Sequence, residues 1–276
     1  MELVDTHCHI QSIGASVGER VTRELWVKAD GLTGDGVVAS AVAAGVTRLL
    51  CVGCDLADSR LALAFVQNRP NCWASVGIHP HEAQHFAGQP DKLADFAALA
   101  TQPKVVAIGE CGFDFYYNHS PPSAQTEVLR FQIELALQHD LPLIFHVRTA
   151  FDDFWPIFDS YQGVRGVLHS FTDSAANLAK GLERGLFVGV NGIATFAKDP
   201  QLLAVYRTIP SDRLLLETDA PFLAPAPHRG GINEPKRVAT IADFLAGLRD
   251  VDHKDLAKAT TNNACRLFGF QEVAPV

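Results

Sequence analysis

The sequence has no excess of basic residues. Lys and Arg number 23 against 31 Asp and Glu, which gives a formal charge of −8. This balance excludes a passive DNA-coating protein, because such a protein needs a broad basic surface. It leaves a nuclease open, since a bound metal ion can neutralise a phosphate locally.

Membrane-spanning and secretory features are missing as well. No apolar run approaches the roughly 18 residues of a membrane-spanning helix. The first ten residues, MELVDTHCHI, lack the basic start, the apolar stretch and the cleavage site of a signal peptide. Six cysteines in 276 residues do not read as a disulfide framework, and the CxxC pair Cys51 and Cys54 is predicted to be buried free thiols. We therefore expect a cytoplasmic protein that does not associate with membranes.

The chain does contain a regular alternation of short apolar runs and amphipathic stretches. Eight runs rich in Val, Ile and Leu are predicted strands, at residues 3–7, 47–52, 73–78, 105–109, 143–147, 166–169, 186–190 and 214–217. They are apolar on both faces, as is typical of parallel strands covered by helices. Helices are predicted at residues 36–44, 59–67, 123–138, 174–184, 235–248 and 253–268. Gly at helix ends and Pro near helix starts support these boundaries.

Eight strands that alternate with helices predict a single-domain α/β fold over residues 1–276, a TIM (β/α)8 barrel. A doubly wound open sheet is the alternative. No internal repeat, low-complexity tract or linker divides the chain. The Gly-rich stretch at about residues 11–35 is predicted to be a long loop insertion over the top of the barrel, with a short helix at residues 21–27.

Polar side chains lie where the predicted strands end. They are His7 and His9 after the first strand, Glu110 after the fourth, His146 at the end of the fifth, His169 of the sixth and Asp219 after the eighth. Barrel enzymes place their active sites at these ends, so the side chains are expected to converge on one rim. One histidine at a strand end is more often structural, but six metal-type ligands together are hard to explain by packing. The pattern predicts a metal site.

The spacing of these residues adds chemical detail. Alternate residues of a strand share a face, so His7 and His9 can reach one metal ion. Asp5 and Glu217 are expected one layer deeper, where they would orient imidazoles or water. The imidazole and carboxylate set suits two divalent ions, or at most three, and Zn, Mg, Mn and Co all remain open.

Roles follow from the same placement. A carboxylate of the set can bridge two ions. Glu110 is predicted to bind metal, and Asp219 to bind metal and also take a proton from water, and both are predicted to be catalytic. Arg148 is predicted to clamp a phosphate, because Arg suits bidentate phosphate contacts. His79 and Arg229 are predicted to contact substrate from the same rim.

Six sequence blocks resemble the signature motifs of the TatD family, metal-dependent deoxyribonucleases within the amidohydrolase superfamily. They are VDTHCH at 4–9, GIHPH at 77–81, GECGFD at 109–114, HVR at 146–148, HSFT at 169–172 and ETDAP at 217–221. The resemblance implies a TIM barrel, divalent metals and phosphodiester hydrolysis, often exonucleolytic on DNA. By motif position it implies metal binding by His7, His9, Glu110, His146, His169 and Asp219.

The expected function is that of a TatD-type deoxyribonuclease, a hydrolase that cleaves DNA phosphodiester bonds through a metal-activated water. An amidohydrolase-type enzyme that cleaves a small-molecule amide, ester or lactone is the alternative. A catalytically silent metal-binding or scaffold protein is the third hypothesis, and it would be expected to lack the proton-accepting Asp219. The oligomeric state is left open, a monomer included.

Overall fold

A computed structural model describes residues 2–270 of the chain. Eight parallel strands form one sheet in chain order from β1 to β8. Their bounds are β1 Leu3–Cys8, β2 Val46–Val52, β3 Cys72–Val76, β4 Val105–Asp114, β5 Leu143–Arg148, β6 Gly166–Leu168, β7 Phe187–Val190 and β8 Leu214–Leu216. Each overlaps a predicted strand. The longest departure is β4, which continues five residues past its predicted end.

Hydrogen bonds between β1 and the residues after β8 close the sheet. The backbone N–H of Asp219 donates to the carbonyl of His7 at 2.8 Å, and the N–H of His9 donates to that of Ala220 at 2.8 Å. Cys8 and Ala220 pair as in a parallel ladder. The predicted TIM barrel is therefore confirmed, and the open doubly wound sheet is not found.

Ten α-helices lie among the described residues. They are α1 Arg20–Val27, α2 Gly34–Ala43, α3 Leu56–Val66, α4 Pro90–Ala100, α5 Pro122–Gln138, α6 Phe151–Phe158, α7 Ala175–Glu183, α8 Pro200–Thr208, α9 Val238–Arg249 and α10 His253–Phe268. The sequence analysis does not predict α4, α6 or α8. α6 does have the apolar spacing of an amphipathic helix, with Phe151, Phe154, Trp155 and Phe158 buried and Asp152 and Asp153 exposed, but it contains Pro156, a residue that normally argues against a helix interior.

Side-chain caps define where several helices begin. Asp55 accepts a hydrogen bond from the backbone of Asp58 at 2.7 Å at the start of α3, and Asp252 does the same for Lys254 at 2.7 Å at the start of α10. Such caps stabilise a helix by about 1 kcal/mol each. At its other end α10 stops at Gly269, whose φ of 61° suits glycine.

The apolar residues form two clusters. The larger one packs the helices against the outside of the barrel. The second cluster takes side chains from all eight strands, so it fills the inside of the barrel. Trp73 and Phe187, at the starts of their strands, meet Leu267, Phe268 and Phe270 from the end of α10 in this second cluster. The amino-terminal end of the barrel is therefore plugged by apolar side chains, and the opposite end is left for polar chemistry.

The stretch at residues 11–35 is packed onto the barrel rather than extended. It contains part of a 3-10 helix at Ile10–Ser12, then α1, which begins one residue before its predicted start. Trp26 is buried, and its indole Nε1 donates to the carbonyl of His9 at 3.0 Å. Gln11 Nε2 donates to the carbonyl of Val52 at 2.8 Å. Residues 11–35 thus support the end of β1, where two predicted ligands, His7 and His9, are located.

Cys51 and Cys54 are buried free thiols, as predicted. Within residues 2–270, no helix has the length and apolar character that crossing a bilayer requires.

Candidate metal centre

The ends of β1 and β8 bring together the first group of predicted ligands. His7 Nε2 lies 3.3 Å from His9 Nε2, and Asp219 Oδ1 lies 3.2 Å from His9 Nε2 and 3.6 Å from His7 Nε2. Both histidines are buried, whereas 16% of the Asp219 side chain is exposed. Asp219 is thus the member of this group that a solvent molecule can reach.

Glu110, in the middle of β4, joins this group to a second one. Its Oε2 lies 3.2 Å from His7 Nε2, and its Oε1 lies 2.8 Å from His146 Nδ1. The same Oε1 is 3.7 Å from Nε2 of both His79 and His169. One carboxylate therefore faces four imidazoles, and the structure brings all six predicted ligands into one cluster.

The charge of Glu110 follows from these neighbours. Burial alone would raise the pKa of its carboxyl group, but the imidazoles of His169, His7 and His79 and the hydrogen bond from His146 hold that pKa well below its usual range. Glu110 is therefore an anion at the centre of the cluster.

The contacts of His9 test whether this donor set fits a metal ion. Its Nδ1 lies 2.9 Å from the carbonyl oxygen of Val52, which only accepts, so Nδ1 carries a proton. In the neutral imidazole Nε2 then directs a lone pair at Asp219 Oδ1 and at His7 Nε2. Acceptors that face one another in a buried site need a cation between them, and metal-binding histidines commonly hold their other N–H on a carbonyl or carboxylate. The residues fit a divalent metal ion.

Protonation of His9 supports the same interpretation. Burial lowers the pKa of its imidazole, but the contact with Asp219 outweighs burial and raises the pKa to about 9. A proton therefore occupies the place between His9 and Asp219 when no metal is bound, and metal and proton compete for it.

Glu217 lies directly beneath His169. Its Oε1 is 3.0 Å from His169 Nδ1 and accepts a hydrogen bond from the backbone of Ser170 at 2.6 Å. His169 in turn stacks on His7 with ring centroids 3.5 Å apart. A Cβ at Gly189 would lie 2.3 Å from Glu217 Oε2, so a residue without a side chain leaves room for this carboxylate. Glu217 thus meets an imidazole, as the sequence analysis expects.

Asp5 meets different groups. It accepts hydrogen bonds from the Thr218 hydroxyl at 2.6 Å, from the Thr218 backbone at 2.9 Å and from the backbone of His7 at 3.3 Å. The carboxylate therefore joins β1 to the segment that follows β8, and it orients the backbone that carries His7 and Asp219. The sequence predicted that Asp5 orients an imidazole or a water molecule, and its protein partners are instead Thr218 and the backbone of His7.

Asp114 ends the GECGFD block and was expected from the sequence to be structural, but the fold places it beside the predicted ligands. Its Oδ2 lies 3.2 Å from His146 Nε2 and 3.0 Å from His81 Nε2. It therefore directs the other nitrogen of His146, Nδ1, at Glu110. The sequence does contain a signal for this position. Side chains alternate along a strand, so Asp114 lies on the same face of β4 as the predicted ligand Glu110.

Gly112 permits the close approach that this pairing needs. Its φ is 140°, and a Cβ there would lie 2.0 Å from the carbonyl oxygen of His146. Only glycine allows β4 to pass His146 at this distance.

A second missed feature is a polar group behind His9. Asp58, in the first turn of α3, is buried and accepts hydrogen bonds from Gln11, Ser12 and the backbone of Cys54. It ties the insertion to the helix after β2. Nothing in the sequence pattern distinguishes it from an ordinary helix-start carboxylate.

The predicted substrate contacts surround the cluster. His79 is close to Glu110, and its Nδ1 accepts the backbone N–H of His81 at 3.2 Å, so Nε2 is its donor nitrogen. Arg148 is exposed at the end of β5, and its guanidinium lies 4.4 Å from the Tyr116 ring. Arg229 is exposed and lies over Phe196. The two arginines are outside the ligand cluster.

The comparison with protein families decides the assignment. The model of the family described as TatD related DNase matches residues 4–269. The chain belongs to the TatD family. This membership confirms the predicted class of enzyme, a metal-dependent nuclease, and it does not favour the small-molecule alternative.

Similar proteins align with most of the chain. A protein of Citrobacter rodentium named 3'-5' ssDNA/RNA exonuclease TatD is 37% identical over 92% of this chain and 97% of its own length. A Bacillus subtilis protein named uncharacterized metal-dependent hydrolase YabD is 35% identical over 96% of this chain and 98% of its own. The crystal structure of YJJV, a TatD homologue from Escherichia coli, superposes with a TM-score of 0.81 at 26% identity, covering 97% of this chain and 98% of that one.

Proposed function

We propose that this TatD-family nuclease removes nucleotides from the 3' end of single-stranded DNA or RNA, with two divalent ions held at the carboxyl-terminal rim of the barrel. The observation that carries the proposal is the position of Glu110, which faces His7 with one oxygen and His146 with the other. The substrate form is taken from the name of the Citrobacter rodentium relative. A cytoplasmic location stays part of the proposal.

The donor groups divide into two sets around Glu110. His7, His9 and Asp219 would hold one ion, and His146 and His169 would hold the other, with the Glu110 carboxylate lying between the two sets. This mixture of imidazole and carboxylate is suited to Zn, Mn, Co or Mg. Glu217 and Asp114 would fix the ring orientations of His169 and His146.

Divalent ions in such a site lower the pKa of water and stabilise the negative charge that develops on phosphate oxygens. The side chains of the protein supply the proton transfer and the contacts to phosphate. Asp219, partly exposed, would accept the proton of the attacking water through its carboxylate. His79 would donate its Nε2 proton to a phosphate oxygen, because burial holds its pKa well below the usual value and its Nδ1 is already an acceptor. Arg148 would hold a neighbouring phosphate.

A panel of substrates and metals tests the proposed function. Chelated protein is reconstituted with Zn, Mn, Mg or Co and offered 5'-labelled single-stranded DNA, duplex DNA, RNA, and a neutral ester and amide. We expect metal-dependent shortening of the single strands from the 3' end, analysed on sequencing gels. An Asp219→Asn sample purified in parallel controls for contaminating nucleases. Hydrolysis of the ester or amide without any nucleic-acid product would contradict the proposal.

Replacing Arg148 with Ala is expected to lower kcat/KM for an oligonucleotide by about five- to hundredfold, which corresponds to the roughly 1–3 kcal/mol of a charge-assisted hydrogen bond. Because the net charge is −8, few local contacts must hold the substrate. The salt dependence of KM should therefore correspond to about two to four phosphates, fewer than the six to ten of a broad basic interface.

The control for this prediction is Arg130→Ala, since Arg130 is another exposed arginine near a tyrosine ring, that of Tyr161. Steady-state rates are measured for both variants at several salt concentrations. Equal rates for Arg148→Ala and the unmodified protein across that range would refute the phosphate clamp.

A further inference from the structure

Two tyrosines stand exposed beside the metal centre. Tyr116 is 62% exposed and Tyr117 is 51% exposed, and both belong to the loop between β4 and α5. Their rings meet edge to face at 4.9 Å, and Tyr117 is nearly parallel to the ring of His119 at 5.8 Å. We call Tyr116, Tyr117 and His119 the rim platform. More than half of each tyrosine surface faces solvent, so the hydrophobic core does not account for them.

The loop is held by its backbone rather than by these rings. Asp114 Oδ1 accepts the backbone N–H of Tyr116 at 3.0 Å and that of Tyr117 at 2.9 Å. Ser120, at the end of the loop, is buried and donates to the carbonyl of His81 at 2.6 Å. The tyrosine side chains are therefore free to contact a ligand without supporting the loop.

A cation lies against the same rings. The guanidinium of Arg148 is 4.4 Å from the centroid of Tyr116 and 4.8 Å from that of Tyr117. Among the residues that the structure describes, Arg148 forms no ion pair, so its N–H groups are available to a ligand. Aromatic faces combined with an arginine are the groups by which proteins bind single-stranded nucleic acid, because every base has a π-face.

The rim platform is connected to the metal centre by one carboxylate. Asp114 contacts the loop backbone with Oδ1 and His146 with Oδ2, and His146 contacts Glu110 at 2.8 Å. His81 packs edge to face on Tyr117 at 5.6 Å and lies 4.3 Å from His79. A nucleotide with its phosphate at the centre can therefore place an adjacent base over the tyrosines.

We propose that the rim platform is a base-stacking subsite that binds a nucleobase next to the scissile phosphate of a single strand. The proposal rests on the nuclease function proposed above. Stacking is sequence-tolerant and does not depend on charge, so it supplies binding that a chain with a net charge of −8 does not gain from long-range electrostatic attraction. Because paired bases in a duplex do not offer a free face, the subsite also favours single strands over duplex DNA.

The test moves one abasic tetrahydrofuran residue along a single-stranded oligonucleotide and measures kcat/KM at each position. In the unmodified enzyme we expect the loss of one particular base near the cleaved bond to lower kcat/KM by about five- to hundredfold. In Tyr116→Ala/Tyr117→Ala that abasic penalty should disappear, because no ring is left to stack on. Tyr116→Phe/Tyr117→Phe should restore it.

Tyr161→Ala is the matched control, since Tyr161 also has an arginine near its ring but follows α6 at the opposite end of the barrel. It should keep the full abasic penalty. An unchanged penalty in Tyr116→Ala/Tyr117→Ala, with melting temperature and metal content preserved, would overturn the subsite. Absence of phosphodiester cleavage by every sample, the unmodified enzyme included, would instead refute the proposed nuclease function.

Discussion

Asp219→Asn is expected to lower kcat on a single-stranded oligonucleotide by about a thousandfold, within the range that general bases contribute. The amide keeps the size of the side chain and one oxygen near His9, so part of the metal affinity remains. What it loses is the ability to take a proton from water. Metal content measured by mass spectrometry, together with single-turnover rates, separates the two properties.

The backbone at Asp219 makes this substitution a clean test. Its φ is 59°, a left-handed conformation that Asp and Asn both tolerate better than other residues. The N–H of Asp219 also donates to the carbonyl of His7, and the amide side chain does not disturb that bond. Asp152→Asn, at an exposed carboxylate in the first turn of α6, is the control. Near-normal turnover in Asp219→Asn would refute its role as the base.

Glu110→Ala is expected to reduce bound metal to one ion or less per chain and to lower kcat/KM by at least about a thousandfold. The reason is that both of its oxygens lie within reach of imidazoles from different strands, 3.2 Å from His7 and 2.8 Å from His146. Without this anion the two donor sets lose the group they share. Glu110→Ala should therefore lose bound metal, whereas Asp219→Asn should lose turnover and keep most of its metal.

Because Glu110 is buried, its truncation can also affect folding. Glu110→Gln keeps the volume, and its metal content and kcat/KM should fall between those of the unmodified protein and Glu110→Ala. Circular dichroism and melting temperature are recorded for each variant, and Glu134→Gln, an exposed carboxylate of α5, is the control. Two ions per chain in a folded Glu110→Ala protein would contradict the proposed bridging role.

Much of the fold was predictable because its signal is local. The eight apolar runs correspond to β1 to β8, since parallel strands buried on both faces need continuous Val, Ile and Leu. The six predicted ligands meet in one cluster because the carboxyl ends of barrel strands share a rim. His7 of β1 and His9 just after it meet with their Nε2 atoms 3.3 Å apart, as their spacing of two residues predicted. The helix α6 was not predicted although its apolar residues have helical spacing, since Pro156 inside it reads as a helix breaker.

The sequence by itself therefore determined the strand order, the barrel and the identity of the metal-type donors at its rim. The tertiary structure decided how those donors are held. It paired Asp5 with Thr218, placed Asp114 behind His146 and brought Trp26 of the insertion onto the carbonyl of His9. These contacts join residues that are far apart in the chain, so no periodic sequence pattern predicts them. Buried polar groups take whichever partner packing brings within hydrogen-bond distance, and only the folded barrel specifies that partner.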